Sequence, residues 1–198
     1  MRSKTSLDDS EEHTATGSRL LFARGYSVFN ASQVSGYTPR VESEETMPER
    51  IERADNFFAS IGAMVRHGGN RAYYSPSEDY VQMPPFAAFK DNVSYYSTLA
   101  HEHTHWTSRE GRCARELGKR FGDNAYAAEE LIAELGAAFT CAHLGLSSEP
   151  REDHAAYIQS WLKVLKADKR AIFTASSKAQ QACDWLVQRA ESHKAVAA

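Results

Sequence analysis

The residues with the clearest chemical potential are two histidines four positions apart. His101-Glu102-His103-Thr104-His105 is an H-E-x-x-H string, and on a helix residues i and i+4 lie on one face, one turn apart. Imidazoles at that spacing can share one ion at about 2.0–2.1 Å, as zinc requires. Glu102, one residue on from His101, can reach a water on that ion without binding the ion itself. Zinc draws the pKa of such a water towards about 7, and the carboxylate can take its proton as the oxygen attacks a carbonyl. His103 sits about 200° around the helix from His101 and cannot share its metal; it reads as a packing or solvent histidine.

A catalytic zinc needs a third protein ligand and one open position. The string AAEELIAELGAAF offers Glu129, Glu130 and Glu134 in an otherwise apolar helix. Glu130 and Glu134 are i, i+4 and share a face, whereas Glu129 points about 100° away. Two carboxylates on one face of a core helix are costly unless something offsets their charge, and a metal with its imidazoles does so. In the gluzincin layout one Glu binds the ion and an acidic group one turn on accepts the N–H of a ligand histidine. Glu130 as ligand and Glu134 behind His101 or His105 fit that layout, with the reverse assignment open. The plain alternative is that both line a solvated face, since Leu131, Leu135 and Phe139 already supply an inward stripe. Tyr95 and Tyr96 precede the motif and could approach an oxyanion, although a core role suits both better.

These groups must be positioned by surrounding elements. The spacing predicts the motif helix over roughly Ser94–Thr107 and the carboxylate helix over about Asn124–His143, stopped by Gly145. An earlier helix starts with a Thr46/Glu49 capping box and Pro48, and buries Ile51, Ala54, Phe57, Phe58 and Ile61. RAYYSPSEDYVQM (71–83) reads as a β-hairpin, able to lend an edge strand to an extended peptide or to serve only as scaffold. A short strand is expected around Tyr26, Val28 and Phe29. Helices are expected from Asp153 to about Ala167 and from Lys169 to about Glu191. Residues 1–18 are polar and lack periodicity, so a disordered tail is expected there, with one domain over 19–198. The fold class is α+β: a small twisted sheet packed on several helices.

Composition narrows the functional classes. The chain has 198 residues, 42% hydrophobic and 25% charged, with net charge −3; that is ordinary for a soluble domain and offers no Lys/Arg excess for gripping nucleic acid. The nearest basic stretch, Lys163, Lys166, Lys169, Arg170 and Lys178, reads as a solvated helix face. Cys113, Cys141 and Cys183 match no zinc-ribbon or C-x-x-C spacing, and their odd number fits a reducing compartment. There is no signal-peptide core and no apolar run of membrane length, so a cytoplasmic location is expected. No G-x-S-x-G, P-loop or dinucleotide fingerprint supports another mechanism.

Four strings in order, ARGYSVFNASQVSG, SYYSTLAHEHTHWT, AAEELIAELGAAF and HAAYIQSWLKVLKADKRAIFTASSKAQQACDWL, resemble the C-terminal metallopeptidase domain of ArdC-type antirestriction proteins of conjugative plasmids and related mobile elements. The resemblance spans about Leu20–Gln188. It implies a zincin-like fold, a metal on His101, His105 and an acidic residue of EELIAEL, and a role in shielding incoming DNA from host restriction. It also implies an N-terminal domain that binds single-stranded DNA, where this chain has a short polar tail before ARGYSVFN; weak or absent DNA binding is therefore expected. The family pattern has an apolar residue where His103 stands.

The expected function is a zinc-dependent metallopeptidase with Glu102 as general base, His101, His105 and Glu130 as ligands and Glu134 as supporting or alternative ligand. One Zn2+ per chain is expected, or another divalent ion such as Mn2+. The expected partner is a protein or peptide substrate, with a restriction-modification component as candidate. The competing reading is a non-catalytic metal-binding module that protects DNA or binds a restriction enzyme without proteolysis. Glu102 favours the first, because a degenerate site often loses its base.

Overall fold

The computed structural model describes residues 33–36, 47–117, 124–146, 161–162, 165–166 and 168–197. The chain divides into residues 1–43, of which 33–36 form a short turn, and residues 44–198, which carry every element below. The expected tail over 1–18, the strand near Tyr26–Phe29, the Thr46/Glu49 capping box and most of the helix from Asp153 fall outside the described residues.

Helix α1 (Met47–Ile61) buries Ala54, Phe57, Phe58 and Ile61, the i, i+3, i+4, i+7 stripe of a helix with one face on a core. Three strands follow: β1 (Met64–His67), β2 (Tyr73–Ser75) and β3 (Tyr80–Met83). Their order is β1-β3-β2, with β3 central. β2 and β3 form the expected antiparallel hairpin, Tyr74 opposite Val81. β1 was not foreseen: it lies where only the end of a helix and Gly68-Gly69 stood out. It pairs parallel to β3, Val65 opposite Val81.

Helix α2 (Asn92–Trp106) begins two residues earlier than expected because Asp91 caps it, its Oδ1 accepting from the Ser94 N–H and Oγ, each at 2.7 Å. Such a cap contributes about 1 kcal/mol. Every residue from Tyr95 to Thr104 is buried, so α2 is the central helix. Helix α3 (Asn124–His143) ends as foreseen, with Gly145 left-handed at φ 68° and Leu146 N–H donating to the Cys141 carbonyl, a helix stop that favours glycine. The last helix, α4 (Ala171–Ala197), packs on α3 and α1.

The main core joins the α1 stripe, Val81 and Met83, Tyr96, Leu99 and Trp106 of α2, Ala137 and Cys141 of α3, and Leu186 and Ala190 of α4. A second cluster unites Leu131 and Ile132 with Ala175 and Ala179. α3 is therefore buried on two sides, apolar towards α4 and small-residued towards α2. The small residues are needed: a Cβ on Gly136 would stand 2.6 Å from the Thr104 side chain. This close approach brings the carboxylates of α3 against the histidines of α2.

Candidate metal centre

His101 and His105 occupy the last two turns of α2, and their Nε2 atoms converge to 3.1 Å. Glu130 of α3 meets both: Oε2 is 3.6 Å from His101 Nε2 and Oε1 is 3.5 Å from His105 Nε2. Among the described residues these three form the one cluster whose ligand atoms all lie within 4.8 Å of one another. Ligand atoms about 2.0–2.1 Å from a tetrahedral ion are about 3.3–3.4 Å apart, so the three groups are spaced to hold a metal.

The imidazoles are backed by two further carboxylates. Glu134 Oε1 lies 3.3 Å from His101 Nδ1, too oblique for a hydrogen bond but close in charge. Glu129 Oε1 lies 3.4 Å from His105 Nδ1, which donates to it. Glu134 thus stands behind one imidazole. Glu129, set aside because it points about 100° away, is buried behind the other. α3 crosses α2 in the opposite sense, so its earlier carboxylate meets the later histidine. The solvated-face alternative fails for Glu130, which is buried, while Glu134 is partly buried against His101.

The connection from Thr107 to Leu117 supplies what the sequence did not reveal. Arg115 Nε and Nη2 donate to Glu129 Oε2 and Oε1 at 3.0 and 2.9 Å, and Nη2 also reaches the Thr104 carbonyl at 2.6 Å. Both side chains are only 4% exposed. Arg112 grips Asp79 in the hairpin turn at 2.9 and 2.6 Å and stacks on Trp106. This pairing ties the hairpin to the end of α2. The available signal was the excess of arginine in a connection flanked by acidic groups.

The electrostatics are those of a cation site. Burial disfavours a charged imidazolium at His105, but Glu129 and Glu130 outweigh it and push its pKa up to about 10. At His101 burial is likewise outweighed by Glu130 and Glu134, and the pKa is raised. Burial would raise the Glu130 carboxyl, yet His101 and His105 hold it far below the usual range. Without a metal, protons supply the positive charge this cage stabilises.

Glu102 is buried and lines the same open cavity of about 500 Å³ as the three cluster residues, Glu129 and Glu134. Arg71, Tyr73, Tyr74, Pro76, Leu117 and Tyr126 are among its other walls. β2, one of the two edge strands of the sheet, lines the cavity through Tyr73 and Tyr74. Tyr95 and Tyr96 do not reach it. Tyr95 bonds His67 Nε2 at 2.8 Å and Tyr96 donates to Asp55 at 2.6 Å. His103 is fully buried, its Nδ1 on the Leu99 carbonyl and its ring against Phe58.

Residues 52–178 match the zincin-like metallopeptidase family MPTase-PolyVal. The chain belongs to that family. Relatives include the uncharacterized protein y4eC of Sinorhizobium fredii, 56% identical over 168 residues, 85% of this chain and 55% of that protein. A DNA primase TraC of Escherichia coli is 39% identical over 170 residues, covering 85% of this chain and 16% of the primase. The Mn(II)-bound crystal structure of the antirestriction protein ArdC from plasmid R388 superposes with TM-score 0.66 and 46% identity, over 84% of this chain and 62% of ArdC. Its metal-free form gives 0.65. The chain is thus a homologue of ArdC and spans a little over half of the y4eC protein. Among the described residues no helix of this zincin-like chain is long and apolar enough to cross a membrane.

Proposed function

We propose that the chain is a single-metal peptidase acting on a protein of the restriction machinery, with Zn2+ as its ion and Mn2+ as an alternative. The observation that carries this reading is the convergence of the two Nε2 atoms and Glu130 on the cavity that Glu102 also lines. A divalent ion there supplies a Lewis acid and a water of lowered pKa. His101, His105 and Glu130 hold it, while Glu134 and Glu129 orient the two imidazoles. Glu102 accepts the proton of the attacking water and returns it to the leaving amine nitrogen. β2 presents backbone N–H and C=O groups to an extended peptide beside the cavity. The similarity to ArdC, an antirestriction protein, supports a restriction component as substrate, and the net charge of −3 supports weak contact with DNA.

The test is metal analysis and proteolysis of purified restriction subunits by wild type and Glu102→Gln. Glu102→Gln should keep its metal and lose turnover by about 10²–10⁴-fold. Equal turnover would reject the mechanism. Undiminished protection of incoming DNA by this variant in a restricting host would support the non-catalytic reading instead.

A further inference from the structure

The walls of the cavity carry a charge pattern that bears on what enters it. Four carboxylates line it: Glu102, Glu129, Glu130 and Glu134. Glu129 is taken by Arg115 and His105, Glu130 by both histidines, and Glu134 stands against His101. Arg71 is the one Lys or Arg among the described residues lining this cavity. It is exposed, and it makes no ion pair with these four acids. Arginine beside so acidic a floor is expected to pair with it; here three of the four carboxylates are held by His101, His105 and Arg115, and Arg71 pairs with none of the four.

Its place in the chain matters as much as its charge. Arg71 lies two residues before Tyr73, at the N-terminal end of edge strand β2, about 7 Å along an extended backbone. A peptide lying along β2 passes it. Tyr73, 41% exposed, Tyr126, Leu117 and Pro76 add aromatic and apolar wall to the cavity that Arg71 shares with the metal-binding residues. A planar guanidinium matches a carboxylate with two parallel hydrogen bonds.

We propose that Arg71 is the specificity-determining residue of this site, selecting a polypeptide that carries a carboxylate where it passes the start of β2. The carboxylate is that of an Asp or Glu side chain or of a chain terminus. This inference rests on the peptide-binding reading of the cavity and adds the substrate's charge to it.

The test uses metal-loaded Glu102→Gln protein, so that binding is read without turnover. Random octapeptides with acetylated N-termini, made once as C-terminal amides and once as free acids, are captured on the immobilised protein and sequenced. Capture should enrich Asp and Glu at one position, or free acids over amides, by about fivefold, the factor of a charged pair at a half-exposed rim. Enrichment within the amides assigns a side chain; enrichment confined to the free acids assigns the terminus. Arg71→Ala should abolish the enrichment, Arg71→Lys should keep part of it, and Arg71→Glu should exchange it for Lys and Arg. Thermal melting of each variant checks the fold. Enrichment that survives Arg71→Ala, absence of enrichment, or absence of capture overturns the proposal. So does displacement of captured peptide by a single-stranded oligonucleotide whose binding is lost in Arg71→Glu, which would assign Arg71 to phosphate. Arg71-dependent enrichment without cleavage by the wild type sinks only hydrolysis; cleavage without Arg71 dependence sinks only this proposal.

Discussion

Arg115 holds Glu129 through two hydrogen bonds of 3.0 and 2.9 Å, and both side chains are almost completely buried. Glu129 in turn stands behind His105, so a residue outside both site helices acts on the metal site through one intermediary. Arg115→Ala removes the main partner of a buried carboxylate and leaves it only the long His105 contact, and breaking such a buried pair typically costs about 3–5 kcal/mol. Its metal affinity should also fall, by about 10–100-fold. Arg115→Met combined with Glu129→Gln should recover most of the stability but not the affinity. Melting curves of the metal-free protein and chelator competition measure the two effects. Parallel recovery of both would mean that Arg115 serves the fold alone.

The three carboxylates of α3 should separate by role. Glu130→Gln removes the group that faces both Nε2 atoms and should lose its ion on dialysis. Glu129→Gln and Glu134→Gln should keep it with affinity lowered about 10–100-fold. Competition with a zinc chelator on all three ranks them. If Glu134→Gln loses the ion and Glu130→Gln keeps it, the ligand role moves to Glu134.

Metal binding should release protons. The raised pKa of His105, about 10, means that its imidazole is protonated at neutral pH in the metal-free protein, and a ligand imidazole must be neutral. At least one proton per ion should appear at pH 7, and affinity should weaken as pH falls. Calorimetry in buffers of different ionisation enthalpy counts the protons. A count near zero contradicts the cage electrostatics.

His103 provides a stability switch of opposite sign. Burial pushes its pKa down to about 4 from an ordinary 6.5. The unfolded chain therefore takes up a proton first as pH falls, and stability is lost between about 6.5 and 4, by on the order of 3 kcal/mol. His101 and His105, with raised values, contribute in the other direction, so the comparison must be differential. His103→Leu should gain on the wild type by that amount between pH 6.5 and 4 in denaturant titrations. A pH-independent difference would place the proton elsewhere.

Gly136 sets how closely α3 approaches α2. Gly136→Ala drives a methyl group into the Thr104 side chain and should cost about 1–3 kcal/mol. It should also weaken metal binding, because the carboxylates move with the helix. Thr104→Ala in the same chain should restore both. Failure to restore the affinity would show that the spacing at Gly136 does not govern the site.

The ligand pair was legible in the sequence because i, i+4 geometry is a property of one helix. The bounds of α3, its Gly145 stop and the β2–β3 hairpin were legible for the same reason, each being a local pattern of a few residues. Glu130 and Glu134 were legible as a pair on one face, but their division of labour was not. It depends on how α3 crosses α2, and that depends on a Gly136–Thr104 contact 32 residues apart in the chain. The same crossing brought Glu129 behind His105, although helical periodicity directs it away from Glu130. Arg115, Arg112 and strand β1 escaped notice because their meaning lies in partners distant in sequence: Glu129, Asp79 and β3. Periodicity decides which side chains share a face of one element; only packing decides what that face meets.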